Sequence, residues 1–439
     1  MSPIVTICTN PVTSSGINGI VLWRSKGRRW CSAASYNRAV VSKSRRVILV
    51  MRSMLAAMIF GLLANGCRVQ TQRGANGVVP PRDRFEHIHL PAATHPTMPL
   101  VVDVNRDGDP DIVVCNGGSG NVSVYLGDGK GSFAQSQGSP FPAGQHCADI
   151  AAVDFNGDGN VDLAIANHGV KTVTILLGNG KGEFTLAPGS PFTVESNPHP
   201  HGIAVGDFNG DKKPDIAIDS WAENKVLVLY GKGDGTFQSV GIKFDVGKMP
   251  YQRLRAADVN EDGNTDIITS NFESSSVSIL FGDGRGQFTR KDFPVPPDPF
   301  GIAIDDVNGD KHADVVIVHY SGHAIDPSKD AMSVLLGDGK GNFSLLNGSP
   351  FMTGQYPGTV AAGDLNADGL ADIVVPNYED GTLTIYLGGR NGINLAPYSP
   401  IRVGRTPHGV TIADLNHDGK GDIVVAQEED NEILVLLSK

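Results

Sequence analysis

Nine residues, "DVNRDGDPD" at 103–111, recur in register six more times along this chain. The other copies are "DFNGDGNVD" (154–162), "DFNGDKKPD" (207–215), "DVNEDGNTD" (258–266), "DVNGDKHAD" (306–314), "DLNADGLAD" (364–372) and "DLNHDGKGD" (414–422). Their first aspartates are 51, 53, 51, 48, 58 and 50 residues apart. A near-constant period decides the architecture, because each unit is too small to bury its apolar face alone and must stack on the next.

The second unit shows what is repeated. "DIAAVDFN" (149–156) leads into the Asp-rich loop, and "DLAIANHG", "KTVTILLGNGKGEF" and "TLAPGSPF" follow it. Apolar residues alternate or run for a few positions between Gly and Asn, which is a strand pattern with no helical period. Four strands per unit, seven times over, predict an all-β, seven-bladed β-propeller with four antiparallel strands per blade. The third and fourth strands are joined by Gly-rich hairpins such as "GDGKGSF" and "GNGKGEF", which fits the 54 glycines. The sixth hairpin, "GGRNGIN", has Asn394 in place of Phe, so that blade is expected to pack differently at its rim.

The chain stops at "NEILVLLSK", a third strand with no fourth after it. "RFEHIHLPAATHP" (84–96) aligns with "SFAQSQGSPFPAGQHC", matching Phe85 to Phe133. The N-terminal strand is therefore expected to complete the last blade, removing two open sheet edges together.

The loops carry the chemistry of a hard cation. Oxygens alternate at positions 1, 3 and 5, with a further Asp at position 9 and a backbone carbonyl at position 7, as Ca²⁺ requires. The expected side-chain ligands are Asp103, Asn105, Asp107 and Asp111 in the first loop, and Asp154, Asn156, Asp158 and Asp162 in the second. The third offers Asp207, Asn209, Asp211 and Asp215, and the fourth Asp258, Asn260, Asp262 and Asp266. The last three offer Asp306, Asn308, Asp310 and Asp314; Asp364, Asn366, Asp368 and Asp372; and Asp414, Asn416, Asp418 and Asp422. This is not a helix–loop–helix site, since position 12 of the first loop is Val114 rather than Glu and the flanks are β-type. Up to seven structural Ca²⁺ are expected. Lys212 and Lys311 stand where the other loops have Gly, and those two sites are expected to be the weakest.

The loop between strands, together with the G-x-G-x-G-x-F hairpin, resembles the FG-GAP/VCBS repeat proteins, relatives of the integrin α-subunit head. The resemblance covers about residues 84–439. It implies a seven-bladed propeller with Ca²⁺ in the loops between first and second strands. It implies no single activity, since such propellers include adhesion heads, lectins, lipases and polysaccharide lyases.

Charge divides the chain. No Asp or Glu precedes Asp83, whereas nine of the 36 Lys and Arg residues precede Cys67, leaving 27 basic against 47 acidic residues in the body. An acidic body argues against nucleic acid as a partner. "MRSMLAAMIFGLLANGC" (51–67) resembles a bacterial lipoprotein signal peptide with Cys67 as the lipidated residue. Ordinary secretion and an uncleaved anchor are the alternatives. The reading is a leader over 1–66, a linker over 67–83 and a propeller over 84–439. Met51 is a candidate start, which would leave 1–50 untranslated. The protein is expected to be exported to the cell envelope, lipid-anchored at Cys67 or else secreted, and monomeric. Cys115 and Cys147 read as two buried thiols, with a disulfide as the alternative.

Six and eight residues before the loops lies a ring of variable residues at the opposite face. His146, His199, His201, Tyr356 and His408 are its candidates for ligand binding, and Arg253, five residues before the fourth loop, is a further candidate that adds charge beside them. The plain reading is a solvated channel rim; the functional one is a site for a glycan or a transition metal, or acid–base chemistry on a polyuronate. No nucleophile or metalloprotease motif is present. The sequence therefore reads as a surface binding or adhesion module for a glycan or protein. The alternative is a lyase-type enzyme with a His/Tyr/Arg site at the channel mouth.

Overall fold

The structure, a computed structural model, describes residues 84–320 and 330–439. The leader, the linker, Cys67 and most of the 319–332 loop lie outside them. The described residues form seven small antiparallel sheets, with one 3₁₀ turn at Trp221–Glu223 and no α-helix. This is the seven-bladed β-propeller expected from the period.

Blade 1 shows the plan. Pro96–Val102 is the inner strand, the Asp-rich loop follows, and Asp111–Asn116 and Asn121–Gly127 are the second and third strands. Second strands are the buried centre of each sheet: all six residues are buried in every blade. Coverage on both faces explains their continuous apolar runs.

The fourth strand is continuous in blades 4 and 7, and in blade 3 an isolated bridge at Phe237 precedes the strand Ile242–Asp245. In blades 1, 2, 5 and 6 it is split into two short segments, both paired with the third strand, as with Phe133–Gln135 and Phe141–Pro142. A Ser–Pro step occupies each gap. There Ser139, Ser190, Ser349 and Ser399 accept the orphaned third-strand N–H of Val124, Ile175, Val334 and Ile385 through their hydroxyls. The side chain thus replaces the carbonyl that a continuous strand would have offered. In blade 6 the register is shifted by one: Asn394 lies opposite Leu387, where blade 1 has Ala134 opposite Leu126, so the buried Ile393 falls in the register of the missing Phe.

Ring closure is as expected. Phe85–Pro91 pairs with Glu432–Ser438 from Phe85↔Ser438 to Pro91↔Glu432. Seven apolar clusters lie between neighbouring blades. One joins Leu415, Val424 and Val435 of blade 7 to Ile112 and Val114 of blade 1. The hydroxyl of Tyr125 donates to the carbonyl of Pro91 across the same junction. Each blade therefore shares its core with two neighbours and owns none alone. Cys115 and Cys147 are buried free thiols.

Candidate functional site: two faces of one ring

The Asp-rich loops connect first to second strands and so share one face. Side chains link them around it: His417 Nε2 lies 3.0 Å from Asp109, His312 Nδ1 lies 2.6 Å from Glu261, and Arg106 donates to Asn160. Within a loop the carboxylates turn the backbone inward. Asp154 accepts the N–H of Gly157 at 2.7 Å and of Gly159 at 2.8 Å. Asn156 accepts from Asp158, whose own carboxylate accepts from Asn160. Positions 4 and 6 both adopt left-handed backbone, for example Gly157 (φ 75°) and Gly159 (φ 83°). Lys212 (φ 64°) and Lys311 (φ 73°) take this conformation without the freedom of Gly.

The position-9 aspartates are set differently. Asp111, Asp162, Asp215, Asp266, Asp314, Asp372 and Asp422 are all fully buried. Each clasps its loop to the third strand: Asp162 accepts from Phe155 N–H at 2.9 Å and from Gly178 N–H at 2.8 Å. Burial, reinforced by Asp158 and Asp154, pushes Asp162 up to about 6, and the same causes push Asp314 up to about 7. Carboxylates crowded enough to hinder one another's ionisation, with oxygen lone pairs still available, fit a divalent cation. Asp103, Asn105, Asp107 and Asp111 and their counterparts would hold it, and its charge would offset that repulsion.

The opposite face carries aromatic rings. From His146 an unbroken series of ring contacts passes through His168, His201, Tyr251, Phe300, Tyr320, Tyr356 and Tyr378 to His408. Centroid separations run from 4.3 Å for Tyr320–Tyr356 to 6.5 Å for His146–His168. Most of these rings are partly exposed.

Its densest part is a group of imidazoles. His168 follows the second strand of blade 2, and its N–H donates to the carbonyl of His146. His199 and His201 precede the inner strand of blade 3. The three rings lie 4.4–4.8 Å apart. Burial and the neighbouring imidazoles lower His168 to about 3, and the same causes lower His199 to about 4. His201 is 3% exposed; its Nδ1 lies 3.3 Å from Asp219, which also accepts the N–H groups of His201 and Gly202.

The picture of a solvated rim needs correcting for two residues. His201 is buried, and so is Arg253, which points into the ring and meets Asp149 at 2.9 Å. Asp149 is on the inner strand of blade 2 and Arg253 on that of blade 4. Arg253 reaches this position from a left-handed backbone (φ 90°). His408 is part-buried, its Nδ1 has no partner among the described residues, and burial lowers its pKa. Tyr356 shares a hydrogen bond with Tyr320, well away from the imidazole group. The six candidates thus divide: His146, His199 and His201 come together, Tyr356 and His408 lie along the aromatic arc, and Arg253 is buried against Asp149.

His168, Trp221, Phe272, Tyr320 and Tyr378 were not among the candidates. All occupy one repeat position, fourteen residues after the first Asp of their loops, where blades 1 and 7 have Gly117 and Glu428. Aligning the units at that position as well would have found them.

Comparisons with known proteins agree with the fold. The FG-GAP-like repeat matches residues 103–165, 154–218, 258–317, 306–375 and 364–425. Protein linkin of Caenorhabditis elegans is 25% identical over 276 residues, covering 56% of this chain and 44% of that protein. Cartilage acidic protein 1 of Mus musculus is 23% identical over 239 residues, 46% of this chain and 37% of that protein. The chain thus spans less than half the length of these relatives. Among solved structures, a catalytically inactive virginiamycin B lyase from Staphylococcus aureus superposes with TM-score 0.52 at 14% identity, over 81% of this chain and 100% of that one, a likeness of fold alone. With the repeat profile matching more than half of its length, and its blades, loops and hairpins in register, the chain belongs to the FG-GAP-like repeat family.

Proposed function

We propose that this protein is an exported binding module, stiffened by Ca²⁺ in its Asp-rich loops, whose aromatic face takes a glycan. The observation that carries this reading is the arc of partly exposed rings from His146 to His408 on the face away from the loops. Sugar C–H faces stack on such rings while hydroxyls bond to polar edges, and a rigid scaffold presents both without ordering cost. Export is supported by the leader and by the acid-rich loops, whose calcium affinity need suit only extracellular concentrations, roughly 10⁻⁴–10⁻³ M. Among the described residues no helix is long and apolar enough to cross a membrane.

The test is a panel of polysaccharides offered to residues 68–439 with calcium and with chelator. Calcium-dependent binding without turnover is expected. Release of ultraviolet-absorbing unsaturated products would replace this reading with the lyase one. Binding to no glycan would turn attention to a protein partner.

A further inference from the structure

The geometry points to a divalent transition-metal site, of the Zn²⁺ class, formed by His168, His199 and His201 at the junction of blades 2 and 3. It is independent of the Asp-rich loops, which lie at the other end of the strands and offer only oxygen.

Two observations carry it. One ligand atom from each of the three imidazoles lies within 4.8 Å of the others. Tetrahedral Zn²⁺ with Zn–N near 2.0–2.1 Å needs N···N separations of about 3.3 Å. The gap closes by rotation of His168 and His199, which are only part-buried, toward a fixed partner. That fixed partner is His201. Its Nδ1 faces Asp219, and Asp219 is itself held by two backbone N–H groups. A carboxylate on one ring nitrogen fixes the tautomer and leaves Nε2 with a lone pair for a metal, the outer-shell arrangement of histidine metal sites. Nitrogen-only ligation selects Zn²⁺, Co²⁺, Ni²⁺ or Cu²⁺ over Ca²⁺ and Mg²⁺. Three protein ligands leave a fourth position open, and exposed His146 lies one ring beyond His168.

The experiment uses metal-stripped protein in millimolar calcium, so that the carboxylate loops do not compete. Co²⁺ is titrated while visible absorption is followed, and Zn²⁺ is then added. One Co²⁺ per chain with a ligand-field band that Zn²⁺ abolishes is expected. His168→Ala and His199→Ala should each lose the band while keeping the parent's melting temperature in calcium. Asp219→Asn should weaken binding about 10–100-fold. If the band is absent from the parent, or survives in both His variants, the site is not there. Should Asp219→Asn fail to fold, His199→Ala, at a part-exposed position, decides the matter alone.

Discussion

Arg253 and Asp149 meet at 2.9 Å although their blades are not neighbours: one is in blade 4, the other in blade 2. Blade 3 joins through the Ile203 N–H, which Asp149 accepts at 3.3 Å. One carboxylate therefore fastens three blades at the ring's interior. Removing Asp149 leaves Arg253 buried without its carboxylate, and removing Arg253 leaves Asp149 only the more distant Arg255 at 3.9 Å, at a cost of about 3–5 kcal/mol. Asp149→Asn and Arg253→Gln should each lower denaturant stability by that order, and the double variant by less than the sum. Additive losses in the double-mutant cycle would show that the pair is not coupled.

Calcium should hold the ring together. Chelation is expected to lower the melting temperature, and millimolar Ca²⁺ to restore it in a concentration-dependent way. Superimposable melts in chelator and in calcium would remove the case for bound ions.

The third and fifth loops should improve on replacement of their lysines. Lys212 and Lys311 hold left-handed backbone at a cost of about 1–2 kcal/mol that Gly avoids. Lys212→Gly or Lys311→Gly should stabilise the protein by roughly 1 kcal/mol and shift the calcium midpoint to lower concentration, since a positive charge is lost as well. A higher calcium midpoint would contradict this.

The closing strand should matter beyond its length. Deleting residues 84–91 removes the strand paired with Glu432–Ser438 and uncovers Leu434 and Leu436, now buried. Loss of cooperative unfolding, or aggregation, is expected in light scattering and thermal melts. A truncated chain as stable as the parent would show that blade 7 does not need its fourth strand.

Acid sensitivity should be traceable to His319. It is 2% exposed, with Nδ1 3.0 Å from the Pro297 carbonyl and Nε2 2.8 Å from the Ser333 hydroxyl, and burial lowers its pKa to about 4. Unfolded, it titrates near 6.5. Because the folded value is the lower, its contribution is complete above about 6.5 and is lost as pH falls toward 4, on the order of 3 kcal/mol in all. Blades 1, 2, 4 and 6 use Asn at this position: Asn116, Asn167, Asn271 and Asn377. His319→Asn should therefore preserve stability at pH 8 and flatten its decline between pH 6.5 and 4. An unchanged pH profile would assign the acid sensitivity elsewhere.

What was readable in the sequence was local. Asp103 to Asp111 specify a turn through their own spacing, and Phe85 matches Phe133 because both open a fourth strand. The Asp149–Arg253 pair was not readable, because which inner-strand residues meet depends on curvature summed over three blades. His168 was missed for a different reason. It follows Asn167, the last residue of a buried strand, and nothing within its own unit reveals the imidazoles that blade 3 brings to it. Splitting of the fourth strand was half visible: "GSP" marks a break, but that the Ser hydroxyl would satisfy the exposed N–H emerges only from the pairing.

The interrupted fourth strands bear on how copies of this protein meet one another. A sheet edge recruits another chain only where it offers an uninterrupted row of donors and acceptors. Four blades present two- and three-residue fragments instead. The other three have longer edges, and each carries charge or imidazole there: Lys243 and Asp245 in blade 3, Arg290, Lys291 and Asp292 in blade 4, Glu86, His87 and His89 in blade 7. The whole circumference is thereby guarded against fibre-like growth, by fragmentation on some blades and by charge or imidazole on the others, so crowding at a surface need not drive the rings to fuse edge to edge.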